Sequence, residues 1–582
     1  MGLLNYYFSE ADWLTAGLAV FIPLWVIILI IAHAVLKKKN KNFGVWRVMC
    51  FVPLLLCVVH FLIRRFRGDG AIQTMAQFYG AVYIAAVITA LWQFFAKRRH
   101  GHRITAVITL LSTVIALLAT SIYALTVNMA NYTLMNYEES FSGVIDTLKE
   151  KYVLEQWKEI DFDDLETKLM PQVKKAQEEN DPVGYYAALT ELQYYMSDGH
   201  VGVYSHKPEW SHEAAERLAG DDHGFSMFTL DNGDTIAVLT DKESEAYKSG
   251  IHEGTVITKW NGEDIDTAKA SVKCIYPDMT FPVKENEERF KAAFLAGKGG
   301  EQVEVTFLDE NGDQKTAMVK SSGSYARRLS RVGIKLSASK DYDSPEEMMN
   351  DNFTAKMISD DCGYLLINCE SYDNIKDITC IFTGEYPEIT ELVRKKLDDM
   401  KAQGMKKLII DIRNNAGGMD EISGAVTALF TDEKLYINGM GKVVNGEYKH
   451  IYKHYLDPDG TYKDMPVVVL TNYMCASAGD GLAYDLSRCP NVTTMGITQP
   501  CGVNQFTGGY IKTSDNEITF AYPDSLSLDE DGQIFIDTNA DRISRDPVDV
   551  KIPVTADAAK IIFGDSEKDY ELDYALEYLS QK

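Results

Sequence analysis

Basic residues are scarce in this chain. Its 582 residues hold 58 Lys and Arg against 84 Asp and Glu, a formal net charge of −26. The first 130 residues carry three acids (Glu10, Asp12, Asp69) and twelve Lys and Arg, so the remainder holds 81 acids and 46 bases, about −35. A nucleic-acid partner requires a positive surface, and this balance excludes one. Cysteine is sparse and unpatterned: nine residues, two of them (Cys50, Cys57) in apolar runs, none at C-x-x-C spacing. That argues against a disulfide framework and a zinc site, and no metal or other cofactor is expected. The length exceeds what one core supports, so two to four domains are expected.

Charge is also nearly missing from four stretches near the start, about 14–36, 46–63, 76–96 and 104–127, with Arg47 at the edge of the second. Each is long enough to span a bilayer, and a cleaved signal peptide would not be followed by three more such runs. They predict an all-α transmembrane region over 1–130. Lys37, Lys38, Lys39, Lys41 and Arg47, with Lys97, Arg98, Arg99 and Arg103, bias two loops to the cytoplasmic side against Arg64, Arg65 and Arg67. The expectation is a multi-pass cell-membrane protein with a lipid bilayer as partner and its acidic mass on the extracytoplasmic side.

Residues 131–215 read as helical, with Phe141, Val144, Ile145 and Leu148 on one face and Pro182 opening a helix after Asn180-Asp181. The run ends in Asp198-Gly199-His200, a turn that exposes a histidine able to reach across a cleft. A lone histidine is more often an ordinary surface residue. Residues 216–325 read as a small β-rich domain in which Asn261-Gly262 marks a hairpin.

Residues 326–582 alternate apolar strands with helices, an α/β pattern. Lys407-Leu408-Ile409-Ile410 runs into Asp411-Ile412-Arg413-Asn414-Asn415-Ala416-Gly417-Gly418, and Val467-Val468-Val469-Leu470 leads to Met474-Cys475-Ala476-Ser477-Ala478-Gly479-Asp480. Strand, small-residue turn, helix presents backbone N–H groups at the carboxyl edge of a sheet. A serine there, with a glycine turn beside it, can supply a nucleophile and an oxyanion hole. The plainer reading is two turns that merely need small residues.

Together these pieces resemble the C-terminal processing proteases and their tricorn-like relatives. The order matches over about 136–580: helical lead-in, Asp-Gly-His, a PDZ-like stretch around Ser249–Ile265, Asp-x-Arg-x-Asn-x-Gly-Gly, Ala-Ser-Ala-x-Asp, then Ile536-Asp537 through Pro547-Val548-Asp549-Val550. The resemblance implies a crotonase-like or ClpP-like α/β protease core and a PDZ-like domain that takes peptide tails, with Gly224 and Phe225 in its candidate carboxylate loop. It puts Ser477 at the nucleophile position and Ala478, Gly417 and Gly418 at the oxyanion hole.

One branch of that family activates the serine with a lysine about 25 residues downstream, backed by a glutamine. Gln505 matches the glutamine and is expected with Gly224 and Phe225 among the substrate-binding residues, but Cys501 holds the lysine's place, and no Lys or Arg lies between Arg488 and Lys512. The tricorn-like branch uses an early histidine and a late carboxylate, which are matched by His200 and Asp537; Asp524 and Glu517 lie nearby. A serine hydroxyl needs a base, a histidine serves near neutral pH, and a carboxylate orients it. The expected activity is a membrane-anchored serine endopeptidase acting on protein or peptide substrates. The alternative is a catalytically silent peptide- or lipid-binding module on the same fold. The oligomeric state is open.

Overall fold

The computed structural model describes residues 128–582, apart from 278, 339–344, 373–385, 445, 515–516, 540–541, 545–546 and 565–567. It is a mixed α/β protein with several sheets. Among the described residues no helix is long and apolar enough to cross a membrane. That finding overturns the expected all-α transmembrane fold class, and with it the multi-pass cell-membrane location and the bilayer partner. The four apolar runs on which that expectation stood lie outside the described residues.

The chain divides into two compact units, 1–151 with 508–524, and 152–507 with 525–582. In the first, the strand Asn128–Asn131 pairs in parallel with Gly509–Lys512. The helix Tyr137–Lys151 buries Phe141, Val144, Ile145 and Leu148, as their spacing predicts. A capping box starts it: Asn136 Oδ1 accepts the Glu139 N–H, and Glu139 reaches back to the Asn136 N–H.

The second unit is built on a six-stranded sheet in the order Val550–Lys551, Val492–Gly496, Val467–Leu470, Lys407–Asp411, Cys362–Leu366, Ala355–Met357. All neighbours are parallel except the last pair. The central strands read as unbroken apolar runs because both faces are covered. Leu408, Ile410, Val467 and Val469 join one core, together with Ile389, Val393 and Leu397 of the helix Pro387–Ala402 and Leu482 and Leu486 of the helix Ala478–Ser487. Ile409, Val468 and Leu470 point the other way, into a core shared with Ala575 and Leu579 of the helix Tyr570–Ser580.

Two helices lead into this unit. Asp161 caps Phe162–Glu179 through the Asp164 N–H, and Asp181 caps Pro182–Met196 through the Val183 N–H with Pro182 in its first turn, as predicted. The β-rich part has an antiparallel sheet of Glu263–Asp264, Ile257–Trp260, Gln302–Leu308 and Gln314–Lys320, and a hairpin of Ser226–Thr229 with Thr235–Val238. Asn261 and Gly262 turn the first pair with φ of 51° and 80°, the two positive values a tight hairpin of this kind needs.

Candidate active site

Ser477 ends the turn after the strand Val467–Leu470 and stands at the N-cap of the helix Ala478–Ser487. Its backbone has φ 56° and ψ −132°, a conformation that L residues rarely adopt and that here is held from both sides. The Ser477 N–H donates to the Val503 carbonyl at 2.8 Å, and the Ser477 carbonyl accepts the Gly481 N–H at 3.0 Å. A half-buried serine on a strained strand-to-helix turn is the geometry of a nucleophile elbow.

Gly417 lies against it. A Cβ at Gly417 would stand 2.5 Å from Ser477 Cβ and 2.8 Å from the Ala478 nitrogen, and φ is +98°. Only glycine fits there. The Gly417 N–H is already given to Asn415 Oδ1 at 2.9 Å. Asn415, fully buried, ties the two turns together: its carbonyl accepts the Ala476 N–H at 3.0 Å, and its amide donates to Glu370 Oε1 at 2.8 Å. Gly418 approaches the Glu370 backbone too closely for any side chain. Among the described residues the Gly418 and Ala478 N–H groups have no acceptor.

The segment 501–505 is the meeting point of the site. Val503 holds Ser477, as above. On its other side, a Cβ at Gly199 would stand 2.8 Å from Val503 Cγ2 and 2.9 Å from Cys501 Sγ, so the Asp198-Gly199-His200 turn rests on the same segment. The Asn504 N–H donates to the Ile536 carbonyl at 2.7 Å, and Thr538 Oγ1 donates to the Gly502 carbonyl at 2.8 Å, which brings in Asp537. Asp480 accepts the Gly502 and Val503 N–H groups and latches this segment to the turn that carries Ser477.

Each of the three turns carries a non-glycine residue at positive φ: Ser477 itself, Ser197 (48°) ahead of Asp198, and Ile536 (45°) ahead of Asp537. For a β-branched isoleucine this is a true outlier.

The His200 N–H donates to Asp198 Oδ1 at 2.8 Å, and Tyr152 donates its hydroxyl to Asp198 Oδ2 at 2.7 Å. Both ring nitrogens of His200 are buried and have no hydrogen-bond partner among the described residues. Burial pushes the imidazole below its ordinary range, the Asp198 carboxylate opposes this, and the Lys158 ammonium adds to it.

Asp537 is fully buried. Its Oδ1 meets Lys158 Nζ at 2.6 Å, Trp157 Nε1 at 3.0 Å and the Thr538 N–H at 2.8 Å, while Oδ2 has no partner among the described residues. Burial pushes this carboxyl up to about 7 against the pull of Lys158, and Asp198 adds to the rise. Three donors on one oxygen fit the ionised form. The structure therefore gathers Ser477, His200 and Asp537 on one segment, with no hydrogen bond joining His200 to either of the others.

The remaining predicted residues lie elsewhere or are engaged. Gln505 spends its amide on backbone, donating to the Phe535 carbonyl at 2.9 Å and accepting the Ser527 N–H at 2.8 Å. Gly224 donates to Asp222 Oδ1 at 2.8 Å and its carbonyl accepts the Asp241 N–H at 2.7 Å, while Phe225 is buried with its ring centroid 6.1 Å from that of Trp260. Glu370, Trp157 and Lys158 were not foreseen. An acid at the end of an apolar strand is a signal for Glu370; the short helix Glu155–Lys158 offers none for the other two.

The sequence model of peptidase family S41 matches residues 367–543, which include the glycine turn, the nucleophile turn and Asp537. Residues 367–543 carry a peptidase domain of family S41. Among solved structures this chain is similar to mature CPAF complexed with lactacystin, with 16% identity over 77% of this chain and 98% of that one and a TM-score of 0.49. It is also similar to the photosystem II D1 C-terminal processing protease (16%, 74% and 98%, 0.32) and to the tricorn protease (14%, 77% and 36%, 0.34). No curated protein matches it.

Proposed function

We propose that this chain cleaves peptide bonds through an acyl-enzyme on Ser477, with His200 as the base and Asp537 as the carboxylate that orients it. The observation that carries this reading is the 501–505 segment, which supports the turns of all three residues. Ser477 Oγ gives its proton to a ring nitrogen of His200 as it attacks the scissile carbonyl, and His200 returns that proton to the leaving amine. Asp537 Oδ2, free of the donors that hold Oδ1, is the acceptor for the other ring nitrogen and balances the imidazolium. With Gly417 engaged by Asn415, the Ala478 and Gly418 N–H groups are the oxyanion donors. Hydrogen bonds of this kind often close only in the substrate complex.

The β-rich part is proposed to take an extended peptide tail along the outer edge of Ser226–Thr229. Because Gly224 and Phe225 are engaged within the domain, the edge strand rather than that loop supplies the affinity.

The test is labelling of the full-length chain with a fluorophosphonate, beside Ser477→Ala and His200→Ala. Labelling of the wild type alone is expected. Labelling that persists in His200→Ala would remove His200 as the base. A peptide should compete better than its backbone N-methylated form if tails are held by strand addition at the β-rich part.

A further inference from the structure

Lys158 is buried, its side chain 2% exposed, beside the fully buried Asp537. Its three ammonium protons have three acceptors: Asp537 Oδ1 at 2.6 Å, the Thr538 carbonyl at 2.7 Å and the Ser197 carbonyl at 2.9 Å. Ser197 begins the turn that carries His200, and Thr538 follows Asp537. One side chain, from a short helix far away in sequence, thus fixes the backbone on which the base stands and the backbone on which the carboxylate stands. Trp157, its neighbour, adds a donor to the same Asp537 oxygen. With Lys158 and Trp157 on Oδ1, the carboxylate cannot rotate, and Oδ2 is the oxygen left for another donor.

The charges give a second reason. Asp198 and Asp537 are both fully buried and close enough to repel. Two carboxylates sharing a dry site cannot both remain ionised without a cation. Lys158 Nζ, on Asp537 Oδ1, offsets that repulsion and lowers the affinity of the imidazole for a proton, so that His200 stands neutral and able to accept the serine proton. The other titratable groups facing this site are Tyr152, bonded to Asp198, Cys501, whose thiol burial pushes upward, and Asp480, held by the 502–503 N–H groups.

We propose that Lys158 is a positioning residue of this hydrolase, a buried cation that locks the Asp537 carboxylate and the His200 turn into register and balances the two carboxylates around the base. The inference rests on the assignment of His200 and Asp537 made above.

The test uses the full-length chain and the second-order rate of fluorophosphonate labelling as a function of pH, for wild type, Lys158→Met, Lys158→Arg and His200→Ala. Lys158→Met should label roughly 10²-fold more slowly at neutral pH. Its acid limb should move upward by about one unit, because a cation beside the imidazole is lost. Lys158→Arg should return the limb to its wild-type position. A packing role alone would lower the rate without moving the limb. An unshifted limb in Lys158→Met, or Lys158→Arg behaving like Met, overturns the proposal. So does loss of the wild-type circular dichroism spectrum in both variants, which would make the residue a folding requirement only. If His200→Ala labels as well as the wild type, the triad itself is wrong; if it does not label and Lys158→Met keeps its limb, only the role of Lys158 fails.

Discussion

Gly417 and Ser477 touch where no side chain could stand between them, 2.5 Å separating a notional Gly417 Cβ from Ser477 Cβ. Two turns from neighbouring strands are pressed together, and Asn415 holds them there. Gly417→Ala therefore has to move the nucleophile or the Ala478 N–H, and it places an alanine at φ +98°, a backbone penalty of about 1–2 kcal/mol. Fluorophosphonate labelling should fall by about 10²–10³, the usual effect of losing an oxyanion donor, while the fold persists. Labelling within twofold of wild type would show that the turn does not build the oxyanion hole.

The pH dependence of labelling follows from His200. On the proposed assignment only the neutral imidazole accepts the Ser477 proton, and burial holds its pKa below the ordinary 6.5. The acid limb of the rate should therefore lie below pH 6.5. A limb above it would mean that Asp198 outweighs burial and Lys158.

Stability should respond to pH with the opposite sign from an ordinary salt-bridged carboxylate. Burial pushes Glu370 from 4.5 up to about 8, and Asp420 reinforces it. The folded state then holds a proton that the unfolded chain has released, so this contribution is complete below about pH 4.5 and is lost as pH rises toward 8. Glu370→Gln keeps an acceptor for Asn415 and removes the titration. Calorimetry should show a smaller fall in Tm for this variant than for the wild type between pH 4.5 and 8. Parallel curves would mean that Glu370 is ionised in the folded protein.

Arg413 is the tie between the central sheet and the last helix. Its guanidinium contacts Asp411 at 2.6 Å, Asp569 at 2.6 Å and Glu571 at 3.0 Å, all within a few residues of a strand end or a helix start. Tyr364 donates to the same Asp411 carboxylate at 2.8 Å. Arg413→Met leaves buried carboxylates without their cation and should cost about 3–5 kcal/mol in urea unfolding. A loss under about 1 kcal/mol would show the network to be screened by solvent.

The chain's order of elements was legible in its residues. Apolar runs such as Leu408-Ile409-Ile410 and Val467–Leu470 can only be strands buried on both faces, and Asp181-Pro182 and Asn261-Gly262 fix a helix start and a hairpin through backbone preference alone. The turns that carry Ser477, Gly417 and Gly418 were legible for the same reason, because a turn at a sheet edge needs small residues next to each other in sequence. What the side chains around the base do was not. Lys158 and Asp537 are separated by nearly four hundred residues, and a 2.6 Å contact at that distance is set by tertiary packing, with no local pattern to announce it. The segment 499–505 shows both limits. By sequence it was notable for the lysine it lacks, and Gln505 was read as a substrate contact. In the structure Gln505 is bound to backbone at both ends, the segment's own N–H and carbonyl groups hold the turns of Ser477 and Asp537, and the side chains of Val503 and Cys501 meet the turn of His200. Backbone groups are the same in every residue, so only the fold could decide which of them would carry the site.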